Sequence, residues 1–194
     1  MTRTVSVELF CSVDGYGFAK DYPAYFGYGG PDLDRWIDAR TSAPHVEVMG
    51  RQTYQDLVEI VASREDPSSA VGDGGSFEEL KRMPKIIFSS TLTEPPVWPN
   101  ATLIAEDAVP AVTRLKQEPG DPLRVIGSLS LGCSLIRAGL VDQVSLVVFP
   151  LLVGRSGGKP ILTEVDDHGL ELTGSEVLDG RLIALDYRLA PAAA

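Results

Sequence analysis

"RVIGSLSLGCSLIRAGLVDQ", residues 124–143, is the stretch that decides how this chain folds. Leu123, Val125 and Ile126 make a short apolar run that stops at Gly127-Ser128. Leu129, Leu131, Leu135, Ile136 and Leu140 follow at helical spacing. A buried strand therefore passes through a glycine straight into a helix. Two chemistries use that geometry. A helix N-terminus offers unpaired backbone N–H groups and a partial positive charge, so it can hold a phosphate. A strand–serine–helix turn can instead raise a nucleophile: Ser128-Leu129-Ser130-Leu131-Gly132 partly resembles the G-x-S-x-G elbow, with Ser in the first Gly position. The plain alternative is a tight βα connection capped by serine.

With 194 residues, 44% hydrophobic and 23% charged, the chain suits one globular domain over residues 1–194. No apolar run is long enough to span a membrane, and MTRTVSVELF lacks a signal-peptide core, so a cytoplasmic protein is expected. A formal net charge of −10 argues against nucleic acid or an anionic membrane as partner, because neutralising phosphates takes basic patches. Cys11 and Cys133 stand in apolar contexts as expected buried free thiols, and His45 and His168 have no ligand-spaced partners for a metal.

Strand and helix patterns alternate along the chain. Strands are predicted at Val5–Phe10, Val46–Met49, Lys85–Phe88, Ala101–Ala105, Leu123–Ile126 and Val144–Leu152, the last broken by Phe149-Pro150. Helices are predicted from Pro31-Asp32, from Gly50 to about Ala62, over Asp107–Gln117 and after Ser128. Ser63–Ser76 reads as a polar, Gly-rich, mobile loop. Leu170–Val177 and Leu182–Leu189, joined at Asp179-Gly180, read as a β-hairpin. The expected architecture is α/β in three layers: a mostly parallel central sheet, helices on both faces and an antiparallel C-terminal hairpin.

Ligands of such sheets bind at the carboxyl ends of the strands. Those ends read Ser12-Val13-Asp14-Gly15, Gly50-Arg51-Gln52-Thr53, Ser89-Ser90-Thr91 and Gly127-Ser128-Leu129. Three of the four offer hydroxyls, glycine amides or arginine, groups that bind phosphate. Common nucleotide motifs fail: DGYGFAKD lacks a third glycine, and Gly154–Lys159 has Val153 and Pro160 where a P-loop needs Gly and Ser or Thr.

In this order and spacing, SVDGYG (12–17), VMGRQTY (48–54), IIFSSTL (86–92) and VIGSLSLGCSLIRAGLVDQVSLVVFPLLVG (125–154) resemble the dihydrofolate reductase superfamily. The nearer likeness is to the bacterial branch that includes the reductase domain of riboflavin biosynthesis, over about Val5 to Leu189. The resemblance implies an NADPH-dependent reductase. It puts Gly50, Arg51 and Thr53 at the cofactor phosphates, Ser89, Ser90 and Thr91 near the adenosine ribose and its 2′-phosphate, and Gly127, Ser128 and Leu129 along the pyrophosphate. It implies a carboxylate near the substrate, for which Asp34 and Asp14 are the catalytic candidates. It also implies that the aromatic loop Gly15–Gly30 closes over the nicotinamide, with Tyr16 and Trp36 as substrate-side candidates. Six aromatics among glycines look like poor core material and suit a flat heteroaromatic ring. The full acid pattern of true dihydrofolate reductases and a basic cluster for a folate tail are missing, which counts against dihydrofolate. A stand-alone reductase domain and a homodimer are expected.

Two other functions fit parts of the pattern. One is a nucleotide-binding protein on the same fold without catalysis. The other is a serine hydrolase with Ser130 as nucleophile, His168 as base and Asp142 or Asp166 as orienter.

Overall fold

The computed structural model describes residues 2–20, 22, 24–65, 75–94 and 96–190. Its strands are β1 (Val5–Ser12), β2 (Val46–Gly50), β3 (Lys85–Phe88), β4 (Ala101–Ile104), β5 (Leu123–Ile126), β6 (Gln143–Phe149), β7 (Leu170–Leu178) and β8 (Leu182–Leu189). Its helices are α1 (Pro31–Ser42), α2 (Arg51–Glu65), α3 (Gly75–Arg82), α4 (Ala108–Gln117) and α5 (Leu129–Arg137). The strands form one sheet in the order β4-β3-β2-β5-β1-β6-β8-β7. Pairing is parallel from β4 to β6 and antiparallel from β6 through β8 to β7, as the sequence pattern predicts.

Strand alternation sorts the core onto two faces. Val5, Val7 and Leu9 of β1 point with Val48, Leu123 and Val125 toward α4 and α5, which bring Ala111, Val112, Leu131, Leu135 and Ile136. On the other face α1 packs Leu33 and Trp36 against Val147, Phe149, Leu178, Leu182 and Ala184. Beside it α2 sets Tyr54 and Val61 against Met49, Ile87, Leu80, Met83 and Trp98. Cys11 and Cys133 are buried free thiols, and burial pushes Cys11 up to about 11. Among the described residues no helix is long and apolar enough to cross a membrane.

β6 stops at Phe149, where the sequence places the break, because Pro150 has no N–H for the ladder. Other details depart from the sequence pattern. α2 runs to Glu65 and the short α3 begins at Gly75; of the predicted loop, 66–74 lie outside the described residues. The aromatic loop is largely core. Phe26 is buried on Phe149 at a centroid distance of 5.4 Å, and Tyr25 and Tyr28 pack on Phe10 and Phe149. Tyr16 and Phe18 lie against Gly157 and Gly158, where a Cβ would come within 2.5 and 1.9 Å of the two rings.

The hairpin turn carries a function that its sequence does not announce. Asp179 and Gly180 take φ of 50° and 66°, the left-handed pair of a tight hairpin turn. The Asp179 carboxylate accepts from the backbone N–H of Asp32 and of Leu33, both at 3.0 Å, and the Asp179 N–H donates to Asp32 Oδ2 at 2.9 Å. A residue 147 positions away thus caps α1.

Candidate active site

The first turns of α2 and α5 meet at the carboxyl end of the sheet. Each follows its strand without a loop: Gly50 closes β2 and Arg51 opens α2, while Gly127-Ser128 joins β5 to α5. Ser128 locks the two together. It accepts from the Gly50 N–H at 2.8 Å and donates to Thr53 Oγ1 at 2.9 Å. Gly127 has φ of 62°, and a Cβ there would sit 3.1 Å from Thr53 Cγ2. Two sets of first-turn amides, which have no acceptor within their own helices, therefore share one edge of the sheet. That edge is a local concentration of positive potential in an acidic protein.

The other predicted binding residues extend the edge. Phe88 of β3 pairs in register with Gly50, so Ser89-Ser90-Thr91 leave the sheet one strand farther out. Ser89 Oγ accepts from the N–H of Thr91 and of Leu92, at 3.2 and 2.9 Å, leaving Ser90 and Thr91 exposed. Arg51 is exposed, and its one hydrogen bond among the described residues is to Gln55 at 3.4 Å. Leu129 is covered by the loop after β1: a Cβ on Gly17 would lie 3.1 Å from Leu129 Cδ1.

Asp14 serves a different purpose from the one its sequence position suggests. Its carboxylate accepts from Ser12 Oγ at 2.7 Å, from the Val153 N–H at 3.1 Å and from the Gly154 N–H at 2.8 Å. The Ser12 hydroxyl and the two amides hold it at about 2, and the same bonds tie β1 to the loop after β6. A carboxyl lowered on folding contributes stability above its ordinary value of 3.8 and loses that contribution as pH falls through about 2. Acid unfolding between pH 4 and pH 2 should therefore be shallower in Asp14→Asn than in the parent, as read by circular dichroism; identical slopes would contradict the clamp.

Asp34 and Asp38 are exposed on α1, and among the described residues neither carboxylate has a hydrogen bond or ion pair. Trp36, expected on the substrate side, is 8% exposed in the core. Its ring lies 6.1 Å from that of Phe10, with the Arg40 guanidinium 4.0 Å from its centroid. Tyr16 likewise spends a ring face on Gly157.

The hydrolase constellation is not assembled. Ser130 Oγ, at the head of α5, accepts from Lys159 Nζ at 2.9 Å. Asp142 is held by the Val5 N–H and Lys116. It lines a cavity of about 460 Å³ with His168 and Ile136, near the far end of the same helix.

Two groups of residues escaped the sequence reading. Lys159, in the stretch rejected as a P-loop, stands beside the start of α5 and adds a cation there. The second group is a row of charged side chains on the α1–α2 face: Lys85 of β3, Glu47 of β2, Arg124 of β5 and Glu8 of β1. The sequence signal was present, since each of those four apolar strands carries one charged residue at its inward-facing position. Burial pushes the Glu8 carboxyl up, against the opposing pull of Arg124 and Arg40. Burial likewise lowers Lys85 to about 8.

The strand order, the paired helix starts and the terminal hairpin define a dihydrofolate-reductase-like domain. The chain belongs to the RibD C-terminal domain family, whose model matches residues 3–184, and so to a group of reductase domains. It is 23% identical over 186 residues to the uncharacterised protein YyaP of Bacillus subtilis (strain 168), covering 95% of this chain and 94% of that one. A provisionally named riboflavin biosynthesis protein of Shewanella sp. PV-4 shares the fold with a TM-score of 0.70 at 21% identity, over 98% of this chain and 100% of its own. A pyrimidine reductase-like protein of Corynebacterium diphtheriae does so with a TM-score of 0.66 at 15% identity, over 97% and 92%.

Proposed function

We propose that this domain is an NADPH-dependent reductase that transfers hydride to a C=N or C=O carbon of a small, heteroaromatic or similar substrate. The observation that carries the reading is the junction of Gly50, Thr53, Gly127 and Ser128, where two helix N-termini are bolted together and a Cβ at Gly127 would press on Thr53 from 3.1 Å. The residues present fit a dinucleotide: amides, hydroxyls and Arg51 for a pyrophosphate, and the hydroxyls after the next strand for a further phosphate. Gly50, Arg51, Thr53, Gly127, Ser128 and Leu129 would hold the pyrophosphate, and Ser89, Ser90 and Thr91 the adenosine end. Bound there, the cofactor supplies the hydride, and this chain's own residues position it and exclude water. Asp34, whose carboxylate is not clamped as Asp14 is, is the acid we assign to protonating the substrate.

A charge-assisted hydrogen bond to phosphate is worth about 1.5–3 kcal/mol, so Arg51→Ala should weaken NADPH binding roughly 10- to 100-fold. Asp34→Asn should leave that binding within about twofold, since its place is on the substrate side. Fluorescence titration of the two variants tests the assignment, and equal losses in both would remove it.

A further inference from the structure

Lys159 is held through both its backbone and its side chain. The backbone is one rung of a seam between the loops after β1 and β6. Its carbonyl accepts from the Gly17 N–H at 3.4 Å, while the Gly158 and Ile161 N–H groups donate to the Phe18 and Gly15 carbonyls at 3.1 and 2.8 Å. Tyr16 pairs with Pro160 and Ala19 with Gly157 across the same seam. The side chain then turns back to α5, where Nζ donates to Ser130 Oγ at 2.9 Å.

Those contacts leave the charge largely unspent. An ammonium has three N–H donors, and the serine hydroxyl, a neutral acceptor, takes one. Among the described residues its ion pair is with Glu164, 3.7 Å away and exposed, a pair of small worth. The place it occupies is an anion's. Gly132 is the residue whose N–H first bonds within α5, to the Ser128 carbonyl at 2.8 Å, so the amides of Leu129, Ser130 and Leu131 lie ahead of the helix ladder. Ser130, which Lys159 touches, carries one of them.

The start of α2 shows the same arrangement. Arg51 opens that helix, is exposed, and donates to another neutral acceptor, Gln55 Oε1, at 3.4 Å. The two helix starts that Ser128 joins therefore each carry one cation with a neutral hydrogen-bond partner, in a chain of net charge −10. A doubly charged anion between them would take a charge-assisted bond from each side.

Resting on the reductase reading, we propose that Lys159 is a further cofactor-binding residue, whose ammonium holds the pyrophosphate from the α5 side while Arg51 holds it from the α2 side. The loop seam sets the Lys159 backbone in place, so only the end of the side chain has to move from Ser130 Oγ to a phosphate oxygen. A Lys159 that merely tethered the loop to α5 would need its hydrogen bond and not its charge.

Lys159→Gln separates the two roles, because a glutamine amide can still donate to Ser130 once the charge is gone. Calorimetric titration with NADPH should show a Kd raised about tenfold in Lys159→Gln and restored to within about threefold of the parent in Lys159→Arg. In phosphorus NMR of bound NADP+, the pyrophosphate resonances should differ between the parent and Lys159→Gln, and the 2′-phosphate resonance should not. Hydrogen exchange at the Gly17, Gly158 and Ile161 amides should be equal in the two, since the backbone seam is unchanged. Equal NADPH affinity in the parent and Lys159→Gln overturns the proposal and leaves the reductase reading standing. A change confined to the 2′-phosphate resonance overturns it too, as does an affinity loss that comes with a lost seam and is not restored by arginine. A parent that binds no NADPH removes the reductase reading and this role with it.

Discussion

Gly127→Val is expected to weaken NADPH binding by about 100-fold and to lower Tm by about 4–10 °C. A β-branched residue at φ of 62° is strained by about 1–3 kcal/mol, and its Cβ would press on Thr53 Cγ2 from 3.1 Å. Each kcal/mol is worth about 2–4 °C in a chain of this size. The side chain would also push the turn away from Ser128, which joins α2 to α5 through Gly50 and Thr53. Gly139→Ala is the control for strain alone. Gly139 has φ of 65° past the far end of α5, with nothing within 4 Å of a Cβ, so the variant should lose about 1 kcal/mol of stability and keep its NADPH affinity. Equal affinity loss in both variants would show that the junction is not a binding site.

Asp179→Ala is expected to cost about 2 kcal/mol. The substitution removes the acceptor of two α1 amides and places alanine at a φ of 50°. A lost cap is worth about 1 kcal/mol and alanine in a left-handed turn about 1 more. Asp179→Asn keeps one acceptor and tolerates the turn, so it should lose less than half as much. Urea unfolding at neutral pH measures both, and an Asp179→Ala variant within 0.5 kcal/mol of the parent would contradict the cap.

The strands, their mixed pairing and the candidate edge were legible because each is written locally. Strand alternation places Val5, Val7 and Leu9 on one face, and Gly127-Ser128 between an apolar run and a helical one leaves space only for a tight turn. What stayed hidden depends on partners distant in sequence. Nothing near Asp179 announces that it caps a helix 147 residues earlier, and nothing near Asp14 announces the Val153 and Gly154 amides that fix it. The aromatic loop misled for the same reason. Tyr25, Phe26 and Tyr28 look like a lid until Phe10 and Phe149 are brought beneath them. α3 is only eight residues long and follows a glycine-rich stretch, so its periodicity had too few turns to register. The charged row across β3, β2, β5 and β1 was readable as one charge per strand, but its meaning needed the register that lines Glu47 up with Arg124 and Lys85.

Calorimetric titration of the unmodified protein with NADPH, and in parallel with NADH, tests the central claim most directly. The account predicts saturable one-site binding of NADPH and weaker binding of NADH, because on that account the exposed Ser90 and Thr91 would meet the extra phosphate. Heat of dilution alone with both nucleotides would contradict it, and would leave the paired helix starts as a structural junction.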